Sequence, residues 1–320
     1  MNELVSIIIP VFNKAAFLDE TLTSVCGQTY ASLEIILIDD ASTDHSLQII
    51  EKWKAQDSRI KIVLNTENLG GNKSRNLGIN LASGKYTLLF DADDLLSTSC
   101  IDNRINQFDE NTDVVISSMG VFNVSAGDVS STFNWTPTEN NALIRFLRHD
   151  LPWTIMQPLW KTDTLQAHKG FDENFRRLQD VELHTRLMSS GVRIKINSDQ
   201  NPDCFYRIIE GRHSMEKSEF YTRWVQSASA YFHKFKNLPT IDAKKELSGT
   251  LIETASQLLM AKISGEISPL KTKELFKLLL ENTSSSYSTR IVQVYFSFQN
   301  SIPFRVKGLK KAAHLLAHGR

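Results

Sequence analysis

The stretch Tyr86-Thr87-Leu88-Leu89-Phe90-Asp91-Ala92-Asp93-Asp94 constrains the fold more than any other part of this 320-residue sequence. An apolar run with β-branched and aromatic members ends abruptly in three acids. Such a run reads as a strand buried on both faces, the habit of parallel sheets covered by helices. Acids spaced like Asp91 and Asp93 point the same way if strand geometry continues. They then offer hard oxygen ligands at the carboxyl end of a strand, where open α/β sheets bind their ligands. Neighbouring carboxylates repel unless a positive charge stands between them, and a divalent cation is the usual one. The alternative is that Asp91, Asp93 and Asp94 cap the next helix, because Asp is a favoured N-cap. This stretch alone leaves both open.

The residues before it alternate strand and helix. Val5-Ser6-Ile7-Ile8-Ile9 is a β-branched run that Pro10 is expected to stop, since proline cannot donate to a ladder. Phe17, Leu22 and Val25 fall at helical spacing and Gly27 closes that segment. Glu34-Ile35-Ile36-Leu37-Ile38 predicts a second strand running into Asp39-Asp40, with Ser42 and Thr43 as caps for a helix through Trp53. A strand over 60–64, a loop over 65–71 and a helix over 72–81 follow. Strand–helix alternation predicts a parallel sheet with right-handed crossovers.

Beyond the acids the pattern loosens. A helix near 100–108 precedes two short strands, 114–118 and 121–124, expected as a mixed extension of the sheet. Residues 125–140, rich in Ser, Thr, Asn and Gly, predict an exposed loop. Residues 153–160 carry Trp153 and Trp160 beside Pro158, which favours a pocket wall over a central strand. Strand signals end near Met215, and helices follow, one opening at Ser268-Pro269. The expected division is a sheet domain over 1–214 and a helical region over 215–320.

Charge is balanced, 36 basic against 36 acidic residues, so nothing pulls the chain as a whole toward nucleic acid. Three scattered cysteines, Cys26, Cys100 and Cys204, lack metal-ligand spacing and fit a reducing compartment. The first residues have no basic region ahead of their apolar run, so no signal peptide is expected, and no segment reaches the roughly 18–20 apolar residues of a membrane span. A cytoplasmic protein is expected.

Several short motifs stand in a telling order. Val5 to Asn13 is followed by Ile38-Asp39-Asp40-Ala41-Ser42-Thr43-Asp44, then Asn68-Leu69-Gly70 and Ser74-Arg75-Asn76, then Phe90-Asp91-Ala92-Asp93-Asp94. Gly170-Phe171-Asp172-Glu173 and Gln179-Asp180 come next. Together they resemble family 2 glycosyltransferases of the bacterial polysaccharide type, over about the first 210 residues. Each motif is weak alone; the order makes the match specific. The resemblance implies the GT-A fold, a Rossmann-like, mostly parallel α/β sheet flanked by helices, here with a C-terminal helical region. It also implies a nucleotide-sugar donor, UDP-linked in most of the family, a divalent Mn²⁺ or Mg²⁺, and inversion at the anomeric carbon. The enzyme would be of the hexosyl- or N-acetylhexosaminyl-transferase type, acting on a hydroxyl of a glycan or lipid-linked glycan acceptor.

Residue by residue, the resemblance places Pro10, Phe12, Asn13, Asp40, Asn68, Gly70, Arg75, Asp91 and Ala92 around the nucleotide. Phe12 stands where the family often has Tyr; an aromatic wall suits a flat base, and the hydroxyl matters little if stacking is the task. Asp40 corresponds to the acceptor of the base's ring N–H. Asp93 would be the direct metal ligand, with Asp91 reaching the ribose or a metal-bound water and His213 completing the metal shell or contacting phosphate. A bound metal neutralises the departing diphosphate as a Lewis acid. Asp180 matches the family's catalytic acid, although Gln179 replaces the usual Glu before it. As a general base it would take the acceptor hydroxyl's proton. Trp153 and Trp160 are candidate acceptor-stacking residues. The tail 304–320, basic on one side and apolar on the other, is suited either to an anionic membrane surface or to packing on its own domain. Two rivals share some features. A sugar-nucleotide-binding scaffold of the same fold would keep the motifs without turnover. A haloacid-dehalogenase-type phosphatase also sets Asp-x-Asp after a strand, but it wants a small hydroxyl or β-branched residue where Leu95 stands.

Overall fold

The computed structural model describes residues 3–122, 141–197, 201–208, 215–239 and 242–281. The loop over 125–140, His213 and the basic tail over 304–320 lie outside the described residues. The chain begins β1 (Val5–Val11), α1 (Ala15–Cys26), β2 (Leu33–Asp39), α2 (Ser46–Gln56), β3 (Ile60–Leu64), α3 (Gly71–Leu81) and β4 (Tyr86–Leu89). It continues with β5 (Leu95–Leu96), α4 (Cys100–Ile105), β6 (Val114–Ile116), β7 (Met119–Phe122), α5 (Ala142–Leu147), β8 (Pro158–Lys161) and α6 (Thr162–Ala167). Then come α7 (Gln179–Ser189), β9 (Ile194–Ile196), β10 (Cys204–Arg207), α8 (Lys217–Phe235), α9 (Ala243–Ile263) and α10 (Pro269–Glu281).

Two compact units share these elements. The first takes Met1–Asn140, Pro152–Glu173 and Ser190–Glu210; the second takes Asn141–Leu151, Asn174–Ser189 and Gly211–Arg320. The sequence suggested one cut after residue 214. Instead, two earlier segments join the C-terminal helices, because α5 packs on α7 and α9. The α5–α9 approach is close. A Cβ on Gly249 would come within 2.6 Å of the Arg148 carbonyl, and Thr250 Oγ1 donates to the Leu147 carbonyl at 3.0 Å. Nothing in the periodicity of a short helix says which body it will pack against.

The first unit holds a seven-stranded sheet, ordered β3-β2-β1-β4-β8-β6-β9, and a three-stranded sheet, ordered β5-β10-β7. The ladders β3-β2, β2-β1 and β1-β4 are parallel, as the strand–helix alternation predicted. β2 and β4 are buried at every position, the mark of strands covered on both faces. The looser second half produced two differences. Residues 158–161 form not a pocket wall but β8, antiparallel to both β4 and β6 in the middle of the sheet. Pro158 is the first residue of that strand, a position where a missing donor is tolerated. The two short strands after residue 113 also separate: β6 joins the large sheet and β7 the small one.

Pro10 does not stop β1, which continues to Val11 with Pro10 opposite Ile38. The hydrogen-bond pattern explains this. Phe90 N donates to Ile8 O at 3.0 Å, so even-numbered residues of β1 face β4. Asp40 N donates to Val11 O at 2.8 Å, so odd-numbered ones face β2. The β1–β4 ladder ends at the Ile8–Leu89 pair, so the absent N–H of Pro10 points where no strand remains to receive it.

At the other end of the sheet, Glu34 is buried and surrounded by donors. It accepts from Ser6 Oγ (2.5 Å), Ser83 N (2.6 Å), Ser83 Oγ (2.8 Å), Gly84 N (3.0 Å) and Lys61 Nζ (2.6 Å). Burial pushes its carboxyl up, but the bonds from Lys61, Ser6 and Ser83 outweigh burial and hold it at about 2, below the usual 4.5. A lowered carboxyl adds stability that is complete above 4.5 and is lost as pH falls toward about 2. Glu34→Gln is expected to cost about 2 kcal/mol at pH 7. Urea titrations at pH 7 and pH 3 check this, the gap between variant and wild type shrinking at the lower pH.

Candidate active site

β4 ends at Leu89, and residues 91–94 form a turn rather than extending the strand. The turn leads into β5, and α4 does not begin until Cys100, so Asp91, Asp93 and Asp94 cap no helix. Each of the first two acids meets a cationic side chain from a different helix region. Arg75 Nη2 of α3 lies 2.5 Å from Asp91 Oδ1, and Lys14 Nζ, at the start of α1, lies 2.5 Å from Asp93 Oδ2. The Asp93 side chain is 1% exposed. A carboxylate so deep is costly unless paired, which is why a lysine folds onto it in the free protein. Thr21 Oγ1 of α1 sits 3.1 Å from the Ala92 carbonyl and 3.0 Å from the Asp94 carbonyl, pinning the turn from one side. Lys14 and Thr21 escaped the sequence reading. The available signal was a basic residue directly after Asn13 and a hydroxyl on the buried stripe of α1.

A second cluster of candidate residues is built from the ends of β1, β2 and β3. Phe12 is 43% exposed, so it is not core and its ring is available for stacking. Asn13 has φ 51°, a left-handed conformation that Asn tolerates. Its Oδ1 accepts from Thr43 N (2.7 Å) and Asp44 N (3.3 Å), and its own N–H donates to Ser42 Oγ (3.1 Å). Asn13 thus splints the loop after β2. Asp40, buried, accepts from Asn65 Nδ2 (2.7 Å) and Leu69 N (2.9 Å) at Oδ1 and from Gly70 N (2.8 Å) at Oδ2. Three donors leave one of the carboxylate's four lone-pair positions for a ligand. Asn68 Nδ2 donates to the Asp40 carbonyl at 3.3 Å. Pro10 is half-buried beside these loops, and Ala92 is buried in the acidic turn.

Three of the left-handed non-glycine residues, Asn13, Ala41 and Leu178, lie at or within two residues of candidate residues. Ala41, next to Asp40, has φ 59°, and Leu178, two residues before Asp180, has φ 58°. Non-glycine residues in this region cost on the order of 1–3 kcal/mol and persist only where surroundings impose them. Gly70 has φ 86° and ψ 156°, a region open essentially to glycine alone. A Cβ there would meet nothing within 4 Å, so the cost of a side chain is purely conformational. Gly70→Ala is therefore expected to lose about 1–3 kcal/mol in chemical denaturation, and calorimetry with UDP should show weaker binding through the disturbed Asp40 loop.

In the second unit, Asp180 stands in the first turn of α7, half-buried, its Oδ1 accepting from Val181 N at 3.0 Å. The helix is well anchored. Glu182, fully buried, pairs with Arg186 and with Lys234 of α8, both at 2.7 Å, and the Thr185 and Tyr231 hydroxyls meet at 2.6 Å. Arg177 does not serve Asp180. Its backbone N–H donates to Ser227 Oγ at 3.1 Å, and its guanidinium lies 4.4 Å from the centre of the Phe220 ring.

Trp153 and Trp160 need correcting as acceptor-stacking residues. Both are 0% exposed, Trp160 in the middle of β8, so neither offers a ring face to a sugar. Their aromatic character serves the core. Thiol chemistry also finds no support among the cysteines: burial pushes Cys26 and Cys204 up to about 12 and raises Cys100 well above its usual value. Among the described residues no three His, Cys, Asp or Glu side chains converge as a self-sufficient metal site. No described helix is long and apolar enough to cross a membrane.

Comparison with known proteins gives this geometry a context. The family model described as Glycosyl transferase family 2 matches residues 6–160, which include Asp40, Asp91 and Asp93 but not Asp180. The glycosyltransferase GlyG of Streptococcus pneumoniae is 38% identical over 130 residues, 40% of this chain and 43% of that protein. Matches to the first relatives thus span about two fifths of their length. The Escherichia coli UDP-Glc:alpha-D-GlcNAc-diphosphoundecaprenol beta-1,3-glucosyltransferase WfaP is 31% identical over 216 residues, 67% of this chain and 81% of that one. S. aureus TarS 1–349, solved in complex with UDP-GlcNAc, is similar at a TM-score of 0.70 and 17% identity, covering 99% of this chain and 90% of that one. That likeness fixes the GT-A fold. With a glucosyltransferase matched over most of its length and the family's own pattern lying across the strands that lead to Asp40 and Asp91, the chain belongs to glycosyltransferase family 2.

Proposed function

We propose that this glycosyltransferase moves a hexosyl or N-acetylhexosaminyl group from a UDP-sugar to a hydroxyl of a glycan or lipid-linked glycan, on the cytoplasmic side of the membrane, with inversion. The observation that carries the reading is the acidic turn, where Asp91 and Asp93 are each matched by a cationic side chain beside the Asp40 loop and the exposed Phe12 ring. WfaP, whose name specifies a UDP-glucose donor and a lipid-diphosphate-linked acceptor, supports the donor and acceptor classes. So does the UDP-GlcNAc complex of TarS.

A divalent metal fits this donor set if it arrives with the nucleotide. Two carboxylates cannot fill six oxygen positions, but Mg²⁺ and Mn²⁺ commonly take one or two protein carboxylates and complete the shell with diphosphate oxygens and water. Asp93 and Asp91 would hold it, and it would supply Lewis-acid stabilisation of the leaving diphosphate. His213 remains a proposed additional ligand. The chain's own residues do the rest. Phe12 stacks on the base and Asp40 accepts its ring N–H, while Arg75, whose buried Nε has no partner among the described residues, is a ready donor to the ribose or diphosphate. Asp180 removes the proton from the acceptor hydroxyl as the new bond to the anomeric carbon forms and the bond to the diphosphate oxygen breaks. A single displacement of this kind inverts the centre.

Lys14 and Arg75 already neutralise the acids in the free protein, so Mn²⁺ alone should bind weakly and Mn²⁺ with UDP strongly. Thermal-shift measurements are expected to show stabilisation by the pair but little by the metal, and Asp93→Asn should abolish that increment while leaving the protein folded. Equal stabilisation of wild type and variant by Mn²⁺–UDP would remove Asp93 from the site.

The base assignment has its own test. Asp180→Asn should lower turnover on the order of 10²–10⁴-fold, the usual worth of general-base catalysis, with UDP affinity nearly unchanged because the interaction matters in the transition state. Turnover close to wild type, or a loss accounted for by weaker donor binding, would end the general-base role. Donor hydrolysis and transfer assays on the wild type also separate an enzyme from a scaffold that only binds sugar nucleotides.

A further inference from the structure

The acidic turn is held from a second direction, by a residue beyond the segment that the family model matches. Arg207 is the last residue of β10. Its backbone N–H donates to Asp94 Oδ1 at 2.8 Å and its Nε to the Asp93 carbonyl at 2.8 Å. Its Nη2 donates to Glu20 Oε2 at 2.6 Å, which ties it to α1. The guanidinium carbon lies 4.5 Å from the centre of the Phe122 ring in β7 and 5.2 Å from that of Phe17 in α1. The Arg207 side chain is 6% exposed.

We propose that Arg207 is a positioning residue for the donor site, fixing the direction in which Asp93 presents its carboxylate. A turn has two soft dihedrals per residue and no ladder to set them. Within the turn Asp94 N donates to Asp91 O at a long 3.4 Å, so contacts from outside the turn do most to set the shape of residues 91–94. Thr21 supplies one set at the Ala92 and Asp94 carbonyls. Arg207 supplies the other, on the carbonyl of Asp93 itself and on the carboxylate of its neighbour. A rotation of the 93–94 peptide would break the Nε bond, and a shift of Asp94 would break the backbone one.

The chemistry of arginine suits the task. Its planar fork can serve Asp93 and Glu20 at once while its faces rest against aromatic rings. A lysine has one nitrogen and cannot span both acceptors. Glu20 completes the device. Although its side chain is 49% exposed, it fixes the far end of the guanidinium to the same helix that carries Thr21. The small β5-β10-β7 sheet thereby acquires a purpose: it delivers Arg207 to the turn at the point where β5 leaves it.

The inference rests on the proposed metal–nucleotide role of Asp93. Groups that orient metal ligands typically change metal affinity or activity about 10–100-fold when lost. Calorimetry of Arg207→Met with UDP alone and with UDP plus Mn²⁺ reads that dependence directly. The expected result is a fall of at least about 10-fold in affinity for UDP with Mn²⁺, while UDP alone, held by the base and ribose contacts, binds as in wild type. Arg207→Lys should recover part of the loss. Unchanged binding with Mn²⁺, or an equal loss with and without it, overturns the proposal, the second result marking general damage. If Arg207→Met does not fold, Glu20→Gln decides: a selective loss of the Mn²⁺-dependent increment supports the proposal and full retention overturns it. Wild type that gains nothing from Mn²⁺ would instead defeat the metal reading of Asp93, and the positioning role with it.

Discussion

Two carboxylates at the end of a buried strand set the terms for the first unit. Asp91 and Asp93 lie close in sequence and Asp93 is almost completely removed from water, so each must find a compensating charge. The protein answers with Arg75 from the helix after β3 and Lys14 from the start of the helix after β1. Both helices are held at the carboxyl edge of the parallel sheet by the connections that make the sheet parallel. Electrostatics and topology are one constraint here. Moving either helix would break one of these ion pairs, and losing the acids would remove both.

That constraint also suits the chemistry. A site whose acids are already neutralised gives little purchase to a free divalent ion, but a metal bound to a diphosphate brings its own anionic oxygens. Were Asp91 and Asp93 to hold such a metal, as proposed, Lys14 and Arg75 would be placed to contact the phosphates. The strained backbone at Asn13, Ala41 and Gly70 belongs to the same economy of short loops. Gly70 aims its main-chain N–H at Asp40, while Asn13 splints residues 42–44. Asp40 therefore serves first as the keystone of its loop and has one acceptor position to spare.

Much of this was legible in the sequence. The strands up to residue 89, the helix over 72–81 and the loop glycine at 70 follow from apolar periodicity and from Gly, Asn and Asp at turns. Proline was misjudged twice, at Pro10 and Pro158, because a missing donor matters only if a neighbouring strand is present to need it. Trp153 and Trp160 were misjudged for a related reason. An indole is equally at home in a core and on a sugar, and only the folded chain, which buries Trp153 and sets Trp160 in β8 between β4 and β6, decides which.

The sequence by itself determined the parallel α/β core, the family, and the identity of the acids at the strand ends, because these depend on local runs and on the order of motifs. Only the tertiary structure decided which cations pair with which acids, that the chain from 141 to 151 and from 174 to 189 joins the helical unit, and that Arg207 reaches back across 113 positions to Asp94. Those facts depend on long-range contacts between segments with no periodic signature of their own. A single sequence specifies them only through the packing of the whole.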